Sequence, residues 1–176
     1  MKLIPQTNPA LFAKEVVKAA LENTPEPQPP QEEFYRQQAA SFVSIKKYGE
    51  LRGCIGTLQP SEPDLGHEII RNARSSAFAD PRFPPVVLEE LIHLTLSVDV
   101  LCTPERVEGM HELDIEMYGV IVSCDYRRGV LLPNLEGVES VEHQLAIACQ
   151  KAGIAPHEEF EVQRFTVERY GEEWSK

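Results

Sequence analysis

The same order of patterns occurs twice along this chain, and it limits the folds available more than any single residue does. The first round opens with an alternating run from Ser41 to Lys47, turns at Tyr48-Gly49-Glu50 and returns through Leu51 to Leu58, as a hairpin should. Ser61-Glu62-Pro63-Asp64 then reads as a capping box, with Ser61 as the cap and Asp64 at the third helical position. A helical stripe follows, with Leu65, Ile69, Ala73 and Ala77 four apart and Ile70 beside them. After the break at Asp80-Pro81, residues His93 to Leu101 alternate again as a strand. The second round starts at Gly119 to Ser123, turns around Arg127-Arg128-Gly129 and returns through Val130 to Pro133. A helix over about 140 to 152 follows, with Val141, Leu145, Ala148, Cys149 and Ala152 on one stripe and Gly153 as its C-cap. One last strand is expected from Phe160 to about Tyr170. The order predicts an α+β fold with an antiparallel-rich sheet and flanking helices, built as two subdomains from a duplicated hairpin–helix–strand unit.

Ahead of the first round, Asn8 and Pro9 read as N-cap and first helical residue, with Phe12, Val16, Ala19 and Ala20 on the buried side of a helix over 9 to 22. The N-terminal helical segment is thus 1–23. The proline-rich stretch 24–31 is an extended surface connection within one domain rather than a boundary between two. The expected organisation is a single domain over 1–176, with a first α+β unit at 40–102 and a second at 118–170. At 176 residues and 42% hydrophobic, the chain is long enough and apolar enough to bury a core. Seventeen basic against 28 acidic residues give a net charge of −11, which repels phosphate backbones and makes nucleic acid an unlikely partner. The four cysteines, Cys54, Cys102, Cys124 and Cys149, are widely and irregularly spaced, which fits neither a disulfide framework nor a zinc site. No cysteine–histidine or histidine–histidine spacing suits a metal, so no metal or cofactor is expected. Without a long apolar run behind Met1, neither a signal peptide nor a membrane span is expected, and the default is a reduced cytoplasmic protein.

The chemistry concentrates in Leu51-Arg52-Gly53-Cys54-Ile55-Gly56-Thr57-Leu58. Strand alternation puts Arg52 and Cys54 on one face and Leu51, Gly53 and Ile55 on the other. Two glycines inside a strand call for a bulge, a bend or a ligand close to the backbone. Three readings follow for this segment. In the first, Cys54 is a nucleophile or redox thiol, with Arg52 favouring the thiolate. In the second, Gly53, Gly56 and Thr57 offer a backbone surface to an anionic ligand, with Arg52 as its charge partner. In the third, Cys54 is a small apolar residue packed under the hairpin. Any acid–base partner for Cys54 has to come through space, and His67 on the following helix reads as a solvated residue.

Asp80-Pro81-Arg82-Phe83-Pro84-Pro85 is a stiff loop. Arg82 suits a forked contact with a carboxylate or phosphate. The structural alternative has Asp80 capping a helical turn beyond it, Arg82 pairing with Glu89 or Glu90, and Phe83 plugging the core. Glu89 and Glu90 diverge on a helical turn, so at most one reaches the site, and Glu90 is the choice.

These segments together resemble the AMMECR-type domain, whose prokaryotic members resemble the A component of the AmmeMemoRadiSam system. Besides the octapeptide, the resemblance rests on Phe42-Val43-Ser44-Ile45, the Asp80-to-Pro85 loop, Glu89-Glu90-Leu91, Ser97-Val98, Leu131-Leu132-Pro133 and Lys151-Ala152-Gly153, in the family's order over roughly residues 40 to 170. The chain departs from the pattern where a Gly-Trp pair is common, since Val138 follows Gly137. It departs again after Gly153, where Ile154 to Phe160 lacks the usual tryptophan. The resemblance implies an α+β fold of two subdomains with a cleft between them. It also implies a Memo-like protein and a radical-SAM enzyme as companions. It supplies no settled activity. The expected site is therefore a small-molecule or partner-binding one around Arg52 and Cys54, with Gly53, Gly56, Thr57, Asp80, Arg82, Glu90 and Pro133 as contributors. Two uses of it stay open: a thiol-dependent enzyme or enzyme subunit acting on a small anionic metabolite, and a non-catalytic adaptor. Oligomeric state is not legible in these patterns.

Overall fold

The computed structural model describes residues 2–175, which divide into two compact units. The first comprises the chain up to Val100 together with the segment from Glu168 onward. It opens with helix α1 (Pro9–Glu22). The Asn8 side chain caps this helix by accepting from the Ala10 and Leu11 amides at 2.8 and 3.4 Å. The same side chain donates through Nδ2 to the carbonyls of Gly171, Glu172 and Trp174, so one asparagine both starts the first helix and anchors the chain's far end. A short helix α2 (Glu33–Arg36) buries Phe34 and Tyr35. Strands β1 (Ser41–Lys47) and β2 (Glu50–Gly56) form the expected hairpin, with Tyr48 and Gly49 at positive φ in its turn. Helix α3 (Leu65–Phe78) follows, then a 3-10 turn (Leu88–His93) and strand β3 (Leu94–Leu101). The core of this unit gathers Phe12, Val16, Val43, Ile69, Leu96 and Val98, all nearly inaccessible, at about 1.5–3 kcal/mol of burial for each large side chain.

The second unit, Leu101–Val167, holds strand β4 (Glu105–Arg106), a 3-10 turn (Met110–Glu112), strands β5 (Gly119–Cys124) and β6 (Arg127–Leu131), and helix α4 (Val141–Ala152). Ser140 caps α4, accepting from the His143 amide at 3.1 Å, and Gly153 ends it at φ 70°. The core here is Val120, Val122, Leu131, Leu145, Ala148 and Ile154.

The two sheets share a plan. With β7 (Glu161–Phe165) and β8 (Val167–Gly171), the first runs β2-β1-β3-β8 and the second β6-β5-β7-β4, so each hairpin is followed by a helix and then by a strand that returns beside the hairpin's first strand. The likeness extends to one atom. A Cβ on Gly53 of β2 would lie 2.2 Å from the Ser76 carbonyl oxygen of α3, and one on Gly129 of β6 would lie 2.0 Å from the Ala148 carbonyl oxygen of α4. Each glycine admits its unit's helix onto the sheet, so the backbone approach these residues signal is made by a helix.

Four expectations need correction. The final strand is two: β7 (Glu161–Phe165) joins the second sheet, and β8 (Val167–Gly171) joins the first. Gly129 lies within β6 rather than in the turn, which is at Asp125 (φ 55°) and Tyr126. The cap of α3 is Asp64, accepting from the His67 amide at 2.9 Å, and Ser61 is bound elsewhere. Strict alternation fails at Arg52: Ile45 pairs with Gly53 and Lys46 with Leu51, leaving Arg52 as the extra residue of a bulge.

Candidate functional site

Helix α3 carries a stripe that its apolar spacing conceals. Glu68, Asn72 and Ser76, four apart, are all buried against the hairpin. The Ser76 hydroxyl donates to the Val43 carbonyl at 2.7 Å and accepts from the Ile55 amide at 2.8 Å, so it bridges two facing residues of β1 and β2. Asn72 donates to the Ser41 carbonyl at 2.9 Å. Glu68 takes the Thr57 hydroxyl, the Ser61 amide and hydroxyl, and the Glu62 amide. Burial alone would raise the Glu68 pKa, but these donors outweigh it and hold the carboxyl below its ordinary value. The stripe locks the octapeptide onto the helix. It also fixes where the opposite face of the hairpin points.

On that opposite face, Cys54 of β2 is cross-strand from Ser44 of β1, which is cross-strand from Ser97 of β3. The Cys54 Sγ and Ser44 Oγ are 3.2 Å apart. Asp99, two residues beyond Ser97, shares the face. All three residues of the thiol–hydroxyl–hydroxyl row are half-buried, so Cys54 is not sealed into the core.

One arginine reaches this row at Cys54, and a second holds Asp99 from β8 at the other edge of the sheet. Arg82 donates from Nε and Nη2 to the two oxygens of Asp80 at 3.0 and 2.8 Å, and from Nη2 to the Cys54 carbonyl at 3.2 Å. Arg169 of β8 donates from Nε and Nη2 to the two oxygens of Asp99, both at 2.7 Å. The aspartates are buried, at 2% and 3% side-chain exposure, while Arg82 and Arg169 are at 54% and 66%. Each guanidinium is thus gripped along one edge by a buried carboxylate. The Nη1 of each has no hydrogen-bond partner among the described residues. The Asp80 and Asp99 carboxylates chiefly hold the Arg82 and Arg169 pKa values above their ordinary range. Asp80 is held far below the carboxylate range, chiefly by Arg82 and also by the Cys54 amide, which donates to it at 2.9 Å.

Arg52 lies in a neighbouring cluster. Its Nε and Nη2 donate to the two Glu90 oxygens at 3.0 and 2.9 Å, and its Nη1 to the Pro84 carbonyl at 2.9 Å. Lys47 also donates to Glu90 at 2.9 Å, and the Arg52 fork chiefly holds that carboxyl at about 2. All three nitrogens of Arg52 are therefore engaged within the chain. Phe83 is half-buried rather than a core plug, with the guanidinium carbons of Arg82 and Arg52 at 5.5 and 6.0 Å from its ring centre. Arg82 pairs with Asp80, not with Glu89 or Glu90, because Asp80 is two residues away in the same stiff turn.

The remaining predicted residues have local partners. Gly56 sits over the Phe42 ring, and the Thr57 amide donates to the Ser41 carbonyl at 2.9 Å. Pro133 is half-buried beyond β6 in the second unit. His67 is half-exposed and its Nδ1 lies 2.8 Å from Asp64. Sequence reasoning missed Asp99 and Arg169, which are 70 residues apart with no local signal, and also Ser44 as the thiol's neighbour. Among the described residues there is no cluster of three or more metal-ligating side chains, and no helix is long and apolar enough to cross a membrane.

A mixed fold of two four-stranded sheets, one of them carrying a half-buried thiol and two carboxylate-held arginines, defines a class of domain rather than a reaction. The family model AMMECR1 matches residues 10–173, and the chain belongs to that family. A Thermotoga maritima protein is 51% identical over 79% of this chain and 81% of its own length. A Clostridium acetobutylicum protein is 48% identical over 80% of this chain, but the match covers only 30% of that longer protein. The crystal structure of an uncharacterised protein from Pyrococcus horikoshii superposes with a TM-score of 0.82 at 34% identity, over 94% of this chain and 90% of that one.

Proposed function

We propose that the first unit binds a small anionic metabolite against Cys54, with Arg82 and Arg169 as its charge partners. One observation carries this reading: Arg82 at Cys54 and Arg169 on the same sheet are each fixed by a buried aspartate, are each more than half exposed, and each keep an Nη1 with no partner among the described residues. Arginines held in place before the ligand arrives lose little entropy when it binds. The Asp80–Arg82 and Asp99–Arg169 pairs nearly cancel in charge, so selectivity comes from the direction of the free N–H groups. Arg52 and Glu90, with Lys47, brace the strand beneath; Gly53 and Gly56 keep it close to its neighbours, Thr57 ties it to α3, and Pro133 takes no part in this unit's site. In a reducing cytoplasm Cys54 stays a free thiol. It serves as nucleophile in the catalytic form of the proposal and as a packing surface in the binding form.

The test is protection of Cys54 from iodoacetamide by inorganic phosphate, acetate and succinate, read by peptide mass spectrometry. Protection by at least one anion, lost in Arg82→Met and in Arg169→Met, is expected. Alkylation of Cys54 only on unfolding, or no protection by any of the three, overturns the reading. Cys54→Ser then separates the two forms: retained anion affinity with no turnover means the thiol reacts, and full function means it packs.

A second reading makes the chain a non-catalytic adaptor acting with Memo-like and radical-SAM partners. It is favoured by the Clostridium relative, in which the matched segment is under a third of a longer chain, so the domain there works attached to further protein. Co-elution with such partners on gel filtration supports it, and an unchanged profile counts against it.

A further inference from the structure

The second unit contains a hollow that is apolar at one end and mixed in polarity at the other. One part, about 480 Å³, lies against α4 (Leu145, Ala146 and Cys149), the following turn (Ile154, Pro156) and Phe160. A second part, about 560 Å³, lies towards Val107, Leu113 and Val162. Met110, Leu145 and Phe160 line both, so the two parts form one groove. Phe160 and Met110 are 38% and 50% exposed, which is unusual for large apolar side chains sharing a concavity. The charges along the groove are Glu142, Glu108 and Glu161 against Arg106 alone, and Arg106 is already paired to Glu161. An apolar floor with a net acidic rim selects for the opposite pattern.

From this we infer that the groove is a docking site for a short amphipathic segment of a partner protein, one that seats bulky apolar side chains on Leu145, Ile154 and Phe160 and places lysine or arginine against Glu142 and Glu108. The inference rests on the partner-bound reading in taking its occupant to be protein; the Clostridium relative, with most of its length outside the matched segment, supports that choice. The apolar floor supplies the affinity, while the acidic rim supplies orientation and rate of encounter. A second copy of this chain is the poorer occupant, because two surfaces of a chain with net charge −11 repel.

Cys149 sits in the wall and reports occupancy. Burial pushes its thiol pKa up, so a neutral maleimide at mildly alkaline pH is the suitable probe. The probe ligands are a synthetic amphipathic peptide with leucine anchors and lysine flanks, its glutamate-flanked counterpart, and a version with the leucines changed to serine. The lysine-flanked peptide is expected to slow Cys149 modification at least tenfold at low salt, with the effect shrinking as salt rises. The other two peptides are expected to do nothing. Glu142→Lys and Phe160→Ser, both at accessible positions where folding tolerates change, are each expected to abolish protection. Equal protection by the glutamate-flanked peptide, protection that depends on protein concentration without peptide, or none at all overturns the inference. Co-elution with a partner that leaves Cys149 as reactive as before also sinks this surface, while the partner reading itself stands.

Discussion

At the scale of single residues, the chemistry of this chain lies in carboxylates that orient cations. Asp80, Asp99 and Glu90 each take two nitrogens of one arginine, and in each pair the carboxylate is well buried. Glu90 gives a pH test with a definite sign. Its folded pKa of about 2 lies below the ordinary 4.5, so its ionised form stabilises the fold fully above 4.5, and that contribution fades as pH falls towards 2. Glu90→Gln leaves Arg52 half-buried without its counter-charge and is expected to cost about 3 kcal/mol at neutral pH. The gap between variant and wild type should narrow between pH 4.5 and 2, as read by thermal melting across that range. A gap that stays constant with pH would mean that the Arg52 fork contributes shape rather than charge. Sequence reasoning reached some of this and not the rest. Cys54, Asp80, Arg82 and Glu90 stand out in the chain because each lies in a short, chemically odd segment. Asp99 and Arg169 sit in strands that look ordinary, and only the sheet brings them together on the face that carries Cys54.

Within single elements, the recurring device is a strand glycine that receives a helix carbonyl. Gly53→Ala and Gly129→Ala each drive a methyl group to near 2 Å from a backbone oxygen, on Ser76 and Ala148 respectively, and neither oxygen belongs to a side chain that can swing away. Each substitution is expected to destabilise by about 1–3 kcal/mol, the range for overpacking a close-fitted interior, measured as a lower urea midpoint. Gly53→Ala should also raise the alkylation rate of Cys54, since lifting α3 off β2 loosens the strand that presents the thiol; Gly129→Ala should not. Helices α1 and α4 were legible because the Asn8 and Gly153 caps and the apolar stripes are local signals. The bulge at Arg52 was not, since a two-against-one pairing depends on the partner strand. The buried polar stripe of α3 was hidden for a related reason: Glu68, Asn72 and Ser76 look like a solvated face until the hairpin supplies their partners.

For the whole molecule, the misread end of the chain matters most. Phe165 and Tyr170 are both buried, yet they are five apart, an odd separation that one regular strand cannot place on a single face. That phase slip was present in the sequence and marks the passage at Thr166 from β7 of one sheet to β8 of the other. Ending the chain after Thr166 removes β8 with Arg169 and Tyr170, and it takes away the carbonyls that hold the Asn8 side chain. Amide exchange in β1, β3 and α1 is expected to accelerate strongly in the truncated chain, while β5 and β6 keep their protection. Equal acceleration in both groups would show that the two cores unfold as one.

The second unit is therefore a continuous stretch inserted into a first unit that is not continuous. Its two ends meet where the Cys102 amide donates to the Thr166 carbonyl at 2.9 Å, so the insertion closes on itself. A chain made from its N-terminus on the ribosome has all of the second unit in hand before β8 emerges. The inserted unit can finish folding during synthesis. The unit that holds Cys54 cannot close its sheet until β8 has emerged, and it waits with the β3 edge open to any passing strand.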